Sequence, residues 1–150
     1  MTRFLPPPLV LIITAGLMLL THARLPDAAV GLAGQTLIAV IVAGASLVLV
    51  AAAAVHFRRA RTTVDPIHPE RASEFVYTGP YRYTRNPMYV ADVGLLVALA
   101  LYLGSPAGLI WIAAFIGWIH CLQIPREERA LLVHFGNAYQ QYCARVRRWL

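Results

Sequence analysis

The chain has 150 residues, of which 59% are hydrophobic and only 13% are charged, and it carries a formal net charge of +6. So apolar a composition excludes an ordinary soluble domain, and the length suits a single domain. The positive charge does not require a nucleic-acid partner, because arginines that face anionic lipid headgroups account for it.

Three long stretches without a charged residue predict the membrane-spanning part of the chain, at residues 4–21, 28–55 and 93–125. About 20 apolar residues in a helix cross a hydrocarbon core of about 30 Å, so the third stretch is long enough for two passes. Gly104-Ser105-Pro106 forms a turn signal near its middle. Because lipid offers no partner to a backbone group, the spans are helices and the predicted fold is all-α and polytopic. We expect four spans, near residues 5–21, 30–55, 88–103 and 107–124.

The first span has a second interpretation. Arg3, the apolar run after it and Thr21-His22-Ala23 resemble a signal peptide with a poor cleavage site. We expect an uncleaved helix; cleavage would leave three spans without moving the basic segments.

The arginines predict the orientation in the membrane. All thirteen basic residues other than histidine are arginine, and all except Arg3 and Arg24 lie in two segments. Basic residues accumulate on the cytoplasmic side of membrane proteins. We therefore expect an integral cell-membrane protein, in the inner membrane if the organism is Gram-negative, with both termini and both basic segments in the cytoplasm. These segments contain Arg58, Arg59, Arg61, Arg71, Arg82, Arg85, Arg126, Arg129, Arg145, Arg147 and Arg148.

The first polar segment, residues 77–92, combines four tyrosines with two prolines. Pro80 and Pro87 prevent one continuous helix, and Asn86-Pro87 is a plausible start for the third span. Tyrosine and arginine are common where a helix leaves the bilayer, so an interfacial belt is one interpretation. The density of tyrosines favours a site instead. They are Tyr77, Tyr81, Tyr83 and Tyr89.

The second polar segment, residues 125–148, begins at Pro125, which predicts the end of the fourth span. A separate cytoplasmic helix follows, and its apolar face either lies in the membrane interface or closes over a pocket. The residues predicted on that face are Leu131, Phe135, Tyr139, Tyr142, Val146 and Trp149.

Three acidic side chains stand where a negative charge is costly. Asp92 lies about one turn inside the third span, and it either pairs with Arg85 or belongs to a site. Glu127 and Glu128 stand together at the mouth of a span. They either complement a helix N-terminus and pair with neighbouring arginines, or face a cationic ligand.

Together the two polar segments resemble the paired signature of the isoprenylcysteine carboxyl methyltransferase and phospholipid methyltransferase superfamily. Its pattern is roughly G-P-Y-x-x-x-R-H-P-x-Y-x-G, followed after a helical hairpin by E-E-x-x-L-x-x-x-F-G-x-x-Y-x-x-Y. The resemblance covers about the C-terminal half, with two departures: Asn86 replaces the histidine, and Ala91 replaces the last glycine. Asparagine donates and accepts hydrogen bonds but does not titrate near neutral pH. Asn86 therefore keeps a hydrogen-bonding role but cannot carry a proton as the histidine could. The matching residues are Gly79, Pro80, Tyr81, Arg85, Pro87, Tyr89, Glu127, Glu128, Leu131, Phe135, Gly136, Tyr139 and Tyr142.

The resemblance implies a cytoplasmic S-adenosylmethionine pocket between the third span and the C-terminal helix. It also implies methyl transfer to a carboxylate, amine or thiol of a lipophilic or small hydrophobic acceptor. Carboxylates and aromatic faces suit the cofactor's cationic groups, and arginine suits its carboxylate. Arg145 and Glu128 are the candidate catalytic residues; Arg145 either orients an anionic acceptor group or contacts lipid phosphate. The candidate cofactor-binding residues are Tyr81, Arg85, Asn86, Pro87, Tyr89, Glu127, Glu128, Tyr139 and Tyr142.

Two other functions remain open. His56 and His120 both lie near cytoplasmic span ends, where two imidazoles could hold a haem in a redox protein. A non-catalytic member of the superfamily, acting in assembly or lipid binding, is the other alternative. Cys121 and Cys143 lack metal-binding spacing and are not expected to form a disulfide, and no metal site is predicted.

Overall fold

The computed structural model describes residues 5–25, 31, 33–59 and 76–150. Within these residues the chain is helical and forms no strand, which confirms the predicted all-α fold. Arg3, Asp27, Arg61, Arg71 and the predicted start of the second span at residue 30 lie outside the described residues. The five α-helices are α1 (Pro7–Arg24), α2 (Gln35–Arg59), α3 (Pro87–Leu103), α4 (Gly108–Trp118) and α5 (Ile124–Arg145).

Three helical stretches are long and apolar enough to cross a membrane. They are Pro7–Arg24, Gln35–His56 and the continuous stretch Gly108–Arg145. The shorter apolar helix α3 has 17 residues, which at about 1.5 Å per residue reach most of the way across a hydrocarbon core of about 30 Å. α2 turns side chains such as Leu37 and Val48 outward, where they are 65% and 69% exposed. These outward apolar faces match a lipid environment.

Helix α3 lies at the centre of the bundle, with α2 on one side and α1 and α4 on the other. Leu96 of α3, Phe115 of α4 and Met18 of α1 are each 1% exposed and form the main core. The predicted turn between α3 and α4 is present, and Gly104 adopts the left-handed conformation there with φ 59°. At this end of the bundle, Trp111 Nε1 donates to Thr21 Oγ1 over 2.9 Å and ties α4 to α1.

The predicted helix break at Pro125 is wrong. A π turn, Ile119–Gln123, joins α4 to α5, and the helix continues through Pro125. A proline lacks an N–H and clashes with the carbonyl four residues earlier, here that of Cys121. Because Cys121 lies within the π turn, whose hydrogen bonds reach one residue further, the helix accommodates the proline without ending.

The predicted continuous apolar face of the C-terminal helix is also wrong. Gly136, with φ 52° and ψ −128°, kinks α5 near its middle. The helix ends at Arg145, and Val146 is extended with φ −118° and ψ 132°. Val146 and Trp149 therefore lie beyond the helix.

We expect Gly94→Leu to destabilise the bundle by about 1–3 kcal/mol, the usual cost of overpacking a well-packed contact. A Cβ at Gly94 of α3 would overlap the Ser46 hydroxyl of α2. Denaturant unfolding in detergent measures the change. Gly117→Leu is the control, because a Cβ at Gly117 meets no atom within 4 Å. Equal unfolding free energies for the two variants would contradict the close α2–α3 contact.

Candidate functional site

The two polar segments meet at one end of the bundle. The tyrosine-rich segment forms a short 3-10 helix, Gly79–Arg82, that packs against the end of α2. Tyr142 of α5 donates its hydroxyl to the backbone oxygen of Tyr81 over 2.8 Å, and both residues are buried. Burial raises the pKa of the Tyr81 phenol, so this side chain stays neutral at physiological pH.

Glu127 is held by two neutral donors. Tyr89 of α3 donates its hydroxyl to Glu127 Oε1 over 2.5 Å, and Gln123 of the π turn donates its amide to the same oxygen over 2.7 Å. Both of these donors reach Oε1, so the two hydrogen bonds orient the carboxylate.

Glu128 is surrounded by positive charge instead. Arg148 binds it through two hydrogen bonds, Nε to Oε1 at 3.1 Å and Nη2 to Oε2 at 2.6 Å. Arg85 Nη2 lies 3.4 Å from Oε1. The hydrogen bond to Glu128 raises the pKa of the Arg148 guanidinium above its already high ordinary value. Arg148 is therefore charged.

The C-terminal tail, residues 146–150, lies alongside residues 84–86. Arg85 donates its backbone N–H to the Arg147 oxygen over 2.9 Å, within an isolated parallel bridge between Thr84 and Arg147. The Arg148 oxygen accepts from Asn86 Nδ2 over 2.8 Å and from Thr84 Oγ1 over 3.2 Å. The tail thereby connects the end of α5 to the start of α3.

A groove of about 340 Å³ lies inside the bend of α5. Its walls come from the two halves of the helix on either side of Gly136, so the kink creates it. The lining residues are Pro125, Glu128, Arg129 and Leu132 before the kink, and Tyr139, Gln140 and Cys143 after it. One wall therefore contains the charged residues Glu128 and Arg129, and the other contains the aromatic Tyr139. Through Glu128 the groove adjoins Arg85 and Arg148.

Most of the predicted site residues lie at this end of the bundle, but Arg145 does not join them. Arg145 is exposed, and its Nε donates to the Gln141 oxygen of its own helix over 3.2 Å. Asp92 is partly buried and has no hydrogen bond or ion pair among the described residues. The predicted residues that the cluster or its walls contain are Tyr81, Arg85, Asn86, Pro87, Tyr89, Glu127, Glu128, Tyr139 and Tyr142.

Sequence reasoning missed three contributors to the cluster: Gln123, Thr84 and Arg148. An amide in an otherwise uncharged span was a usable signal for Gln123, because such groups are buried with partners. Thr84 and Arg148 carried no comparable signal, since their role depends on the path of the C-terminal tail.

The two histidines of the haem alternative contact different elements. His56 Nδ1 lies 2.7 Å from the Ala52 oxygen, and its ring packs against Gly79. His120 Nδ1 accepts from Trp149 Nε1 over 3.0 Å. The two histidines therefore have separate surroundings among the described residues.

Two of the comparisons with known proteins gave matches. Residues 31–138 match a family model described as phospholipid methyltransferase. A protein of Haemophilus influenzae, described only as uncharacterized, is 40% identical over 63 residues, which are 42% of this chain and all of that protein. No solved structure matches the chain.

We expect Gly136→Ala to destabilise the protein by about 1–3 kcal/mol, because φ 52° with ψ −128° is open essentially only to glycine. Relief of that strain would straighten α5 and open the groove. Thermal unfolding in detergent measures the loss. Gly117→Ala serves as the control, since this exposed helical glycine has room for a methyl group. Equal thermal stabilities of Gly136→Ala and Gly117→Ala would contradict the role of Gly136.

Proposed function

The chain belongs to the phospholipid methyltransferase family, and from that premise we propose that it transfers the methyl group of S-adenosylmethionine to a lipophilic acceptor at the cytoplasmic membrane face. One observation carries the proposal: Tyr89, at the start of α3, meets Glu127, at the start of α5, and the next residue, Glu128, lines the groove. The two halves of the sequence signature thus meet in space.

The residues around the groove fit this cofactor. Its volume of about 340 Å³ lies within the range of small-molecule sites, about 300–1,000 Å³. Arg85 Nε is buried without a hydrogen-bond partner, and a buried donor of this kind is costly unless a ligand satisfies it. When bound, S-adenosylmethionine supplies a methyl group that is already activated by its positive sulfur.

The residues of the chain bind the cofactor and align its methyl group with the acceptor. Glu127 Oε2 accepts from ribose hydroxyls or from an amino group, while Tyr89 and Gln123 fix the carboxylate. Arg85 donates to a carboxylate, and Tyr139 provides an aromatic wall. Alignment and exclusion of water are the main contributions that an in-line methyl transfer needs from a protein, so little acid–base work is required.

The acceptor enters from the membrane. Leu132 lines the groove and is partly exposed, and the adjacent Val133 is 88% exposed. An apolar rim of this kind suits a lipophilic molecule that carries a carboxylate, amine or thiol. Exposed Arg145 would orient a polar acceptor group or contact lipid phosphate from outside the cluster.

The cytoplasmic orientation is supported by charge. Arg82, Arg129 and Arg147 are exposed at the site end of the bundle. At the opposite end, Arg24 closes α1. This asymmetry is typical of cytoplasmic ends of membrane proteins.

We expect Glu127→Ala and Tyr89→Ala each to lower the affinity for S-adenosylmethionine by about tenfold or more, because hydrogen bonds to charged groups contribute about 1.5–3 kcal/mol. Isothermal titration in detergent measures the affinity. Tyr102→Ala is the matched control, since Tyr102 also lies on α3 but is 61% exposed. Wild-type affinity in both site variants would mean that the pocket lies elsewhere.

We expect transfer of a radiolabelled methyl group to lipid-extractable acceptors, because the groove rim is apolar. Incubation of the purified protein with labelled S-adenosylmethionine and separate acceptor classes tests this. Label confined to water-soluble acceptors would contradict the membrane route. Cofactor binding without any transfer would identify a non-catalytic member, and an intense haem absorption band would identify the redox alternative.

A further inference from the structure

Glu127 and Glu128 are adjacent in the sequence but have different hydrogen-bond donors. The donors to Glu127 are a phenol and an amide, so its negative charge is not cancelled by them. Glu128 contacts two guanidinium groups, so Arg85, Arg148 and Glu128 together place two positive charges against one negative charge. Only Glu127 is therefore suited to receive a cationic group.

We propose that Arg85 and Arg148 form an anion-binding site for carboxylate or phosphate oxygens, in which Glu128 orients the two guanidinium groups and does not itself bind a cation. The proposal deepens the function proposed above and rests on it where the anion is the cofactor's carboxylate. It also assigns a ligand-binding role to Arg148, which lies outside the family signature.

Surplus donors are the first argument. Each guanidinium has five N–H donors. Arg148 uses two of its nitrogens on Glu128, Nε and Nη2, and Arg85 contributes a longer contact from Nη2 alone. Arg85 Nε is buried without a partner. The two arginines therefore have unused donors, and their charge exceeds that of Glu128. An oxyanion would provide both hydrogen-bond acceptors and negative charge.

The fixed position of Arg148 is the second argument. A terminal arginine is ordinarily mobile, and an exposed ion pair then contributes little. Here the backbone oxygen of Arg148 is held by Asn86 and Thr84, and its neighbour Arg147 is held by Arg85 N–H. The side chain is only 30% exposed. Arg148 is thus placed by the start of α3, the same element that places Arg85.

The third argument is that Glu127 suits a cationic group, while the arginines around Glu128 suit an anionic group. A free amino acid group has an ammonium and a carboxylate close together. Glu127, whose two hydrogen-bond donors are neutral, suits the ammonium, and the arginine pair suits the carboxylate. The same pair would equally suit the phosphate of a lipid headgroup, so the experiment must separate the two sources.

Arg148→Ala tests the site with two matched probes, S-adenosylhomocysteine and its decarboxylated analogue, which keeps the amino group. We expect the variant to lose about tenfold or more in affinity for S-adenosylhomocysteine, and less than about twofold for the analogue, because only the former has an anion for Arg148. Arg148→Lys should recover part of the loss, since lysine keeps the charge without the fork that binds Glu128. Arg82→Ala, which removes an exposed arginine three residues before Arg85, should change neither affinity.

The lipid source is tested by the same variants in nanodiscs of phosphatidylcholine with or without phosphatidylglycerol. A stabilisation by phosphatidylglycerol that Arg148→Ala removes, with unchanged S-adenosylhomocysteine affinity, supports the anion site and identifies a lipid headgroup as its ligand. If Arg148→Ala weakens both nucleosides equally and Arg148→Lys restores neither, while phosphatidylglycerol has no effect, the anion site is overturned and the proposed function stands. If wild-type protein binds neither nucleoside, the proposed function fails, and the nanodisc comparison alone decides the anion site.

Discussion

The hydrogen bond between Tyr89 and Glu127 requires that two points 38 residues apart in the chain return to the same level of the bundle. The hairpin between them meets this constraint by matched lengths. α3 has 17 residues, while α4 and the π turn have 11 and 5. At about 1.5 Å per residue the two arms differ by less than one helical turn. The tight turn at Gly104 keeps the arms adjacent, so the apolar scaffold places the polar cluster.

The charged side chains at the site end of the bundle are stabilised by pairing and by partial exposure to solvent. Arg85 and Glu128 have side chains that are 15% and 19% exposed, and Arg148 completes their cluster from the tail. Removing Glu128 would leave two partly buried guanidinium groups without a counter-charge, which is costly. The tail therefore belongs to the site although it follows the last helix. Its backbone contacts with residues 84–86 connect the two halves of the signature independently of the side chains.

The apolar helices and the meeting of the two polar segments were predictable, because long stretches without charge predict such helices and the turn signal at Gly104 divides the third stretch. The different environments of Glu127 and Glu128 were not predictable. Adjacent helical residues point about 100° apart, and only the packed structure decides which one meets Tyr89. The kink at Gly136 was equally hidden, because a lone glycine in a helical pattern is usually tolerated. At Pro125 the sequence predicted a helix end that is absent, because the π turn before it relieves the clash that ordinarily ends a helix.

The π turn has a consequence for how the chain can change in length. A π turn contains one residue more than the regular helix needs, and it shifts the phase of everything that follows it. Deleting a single residue from Ile119–Gln123 would restore an ordinary helix and swing Glu127 about 100° away from Tyr89. An insertion or deletion within Ile119–Gln123 therefore changes the orientation of Glu127, and its effect differs from that of an insertion or deletion in the apolar spans. The extra residue of the π turn therefore sets the direction in which Glu127 points, so the length of this segment determines the geometry of the site that follows it.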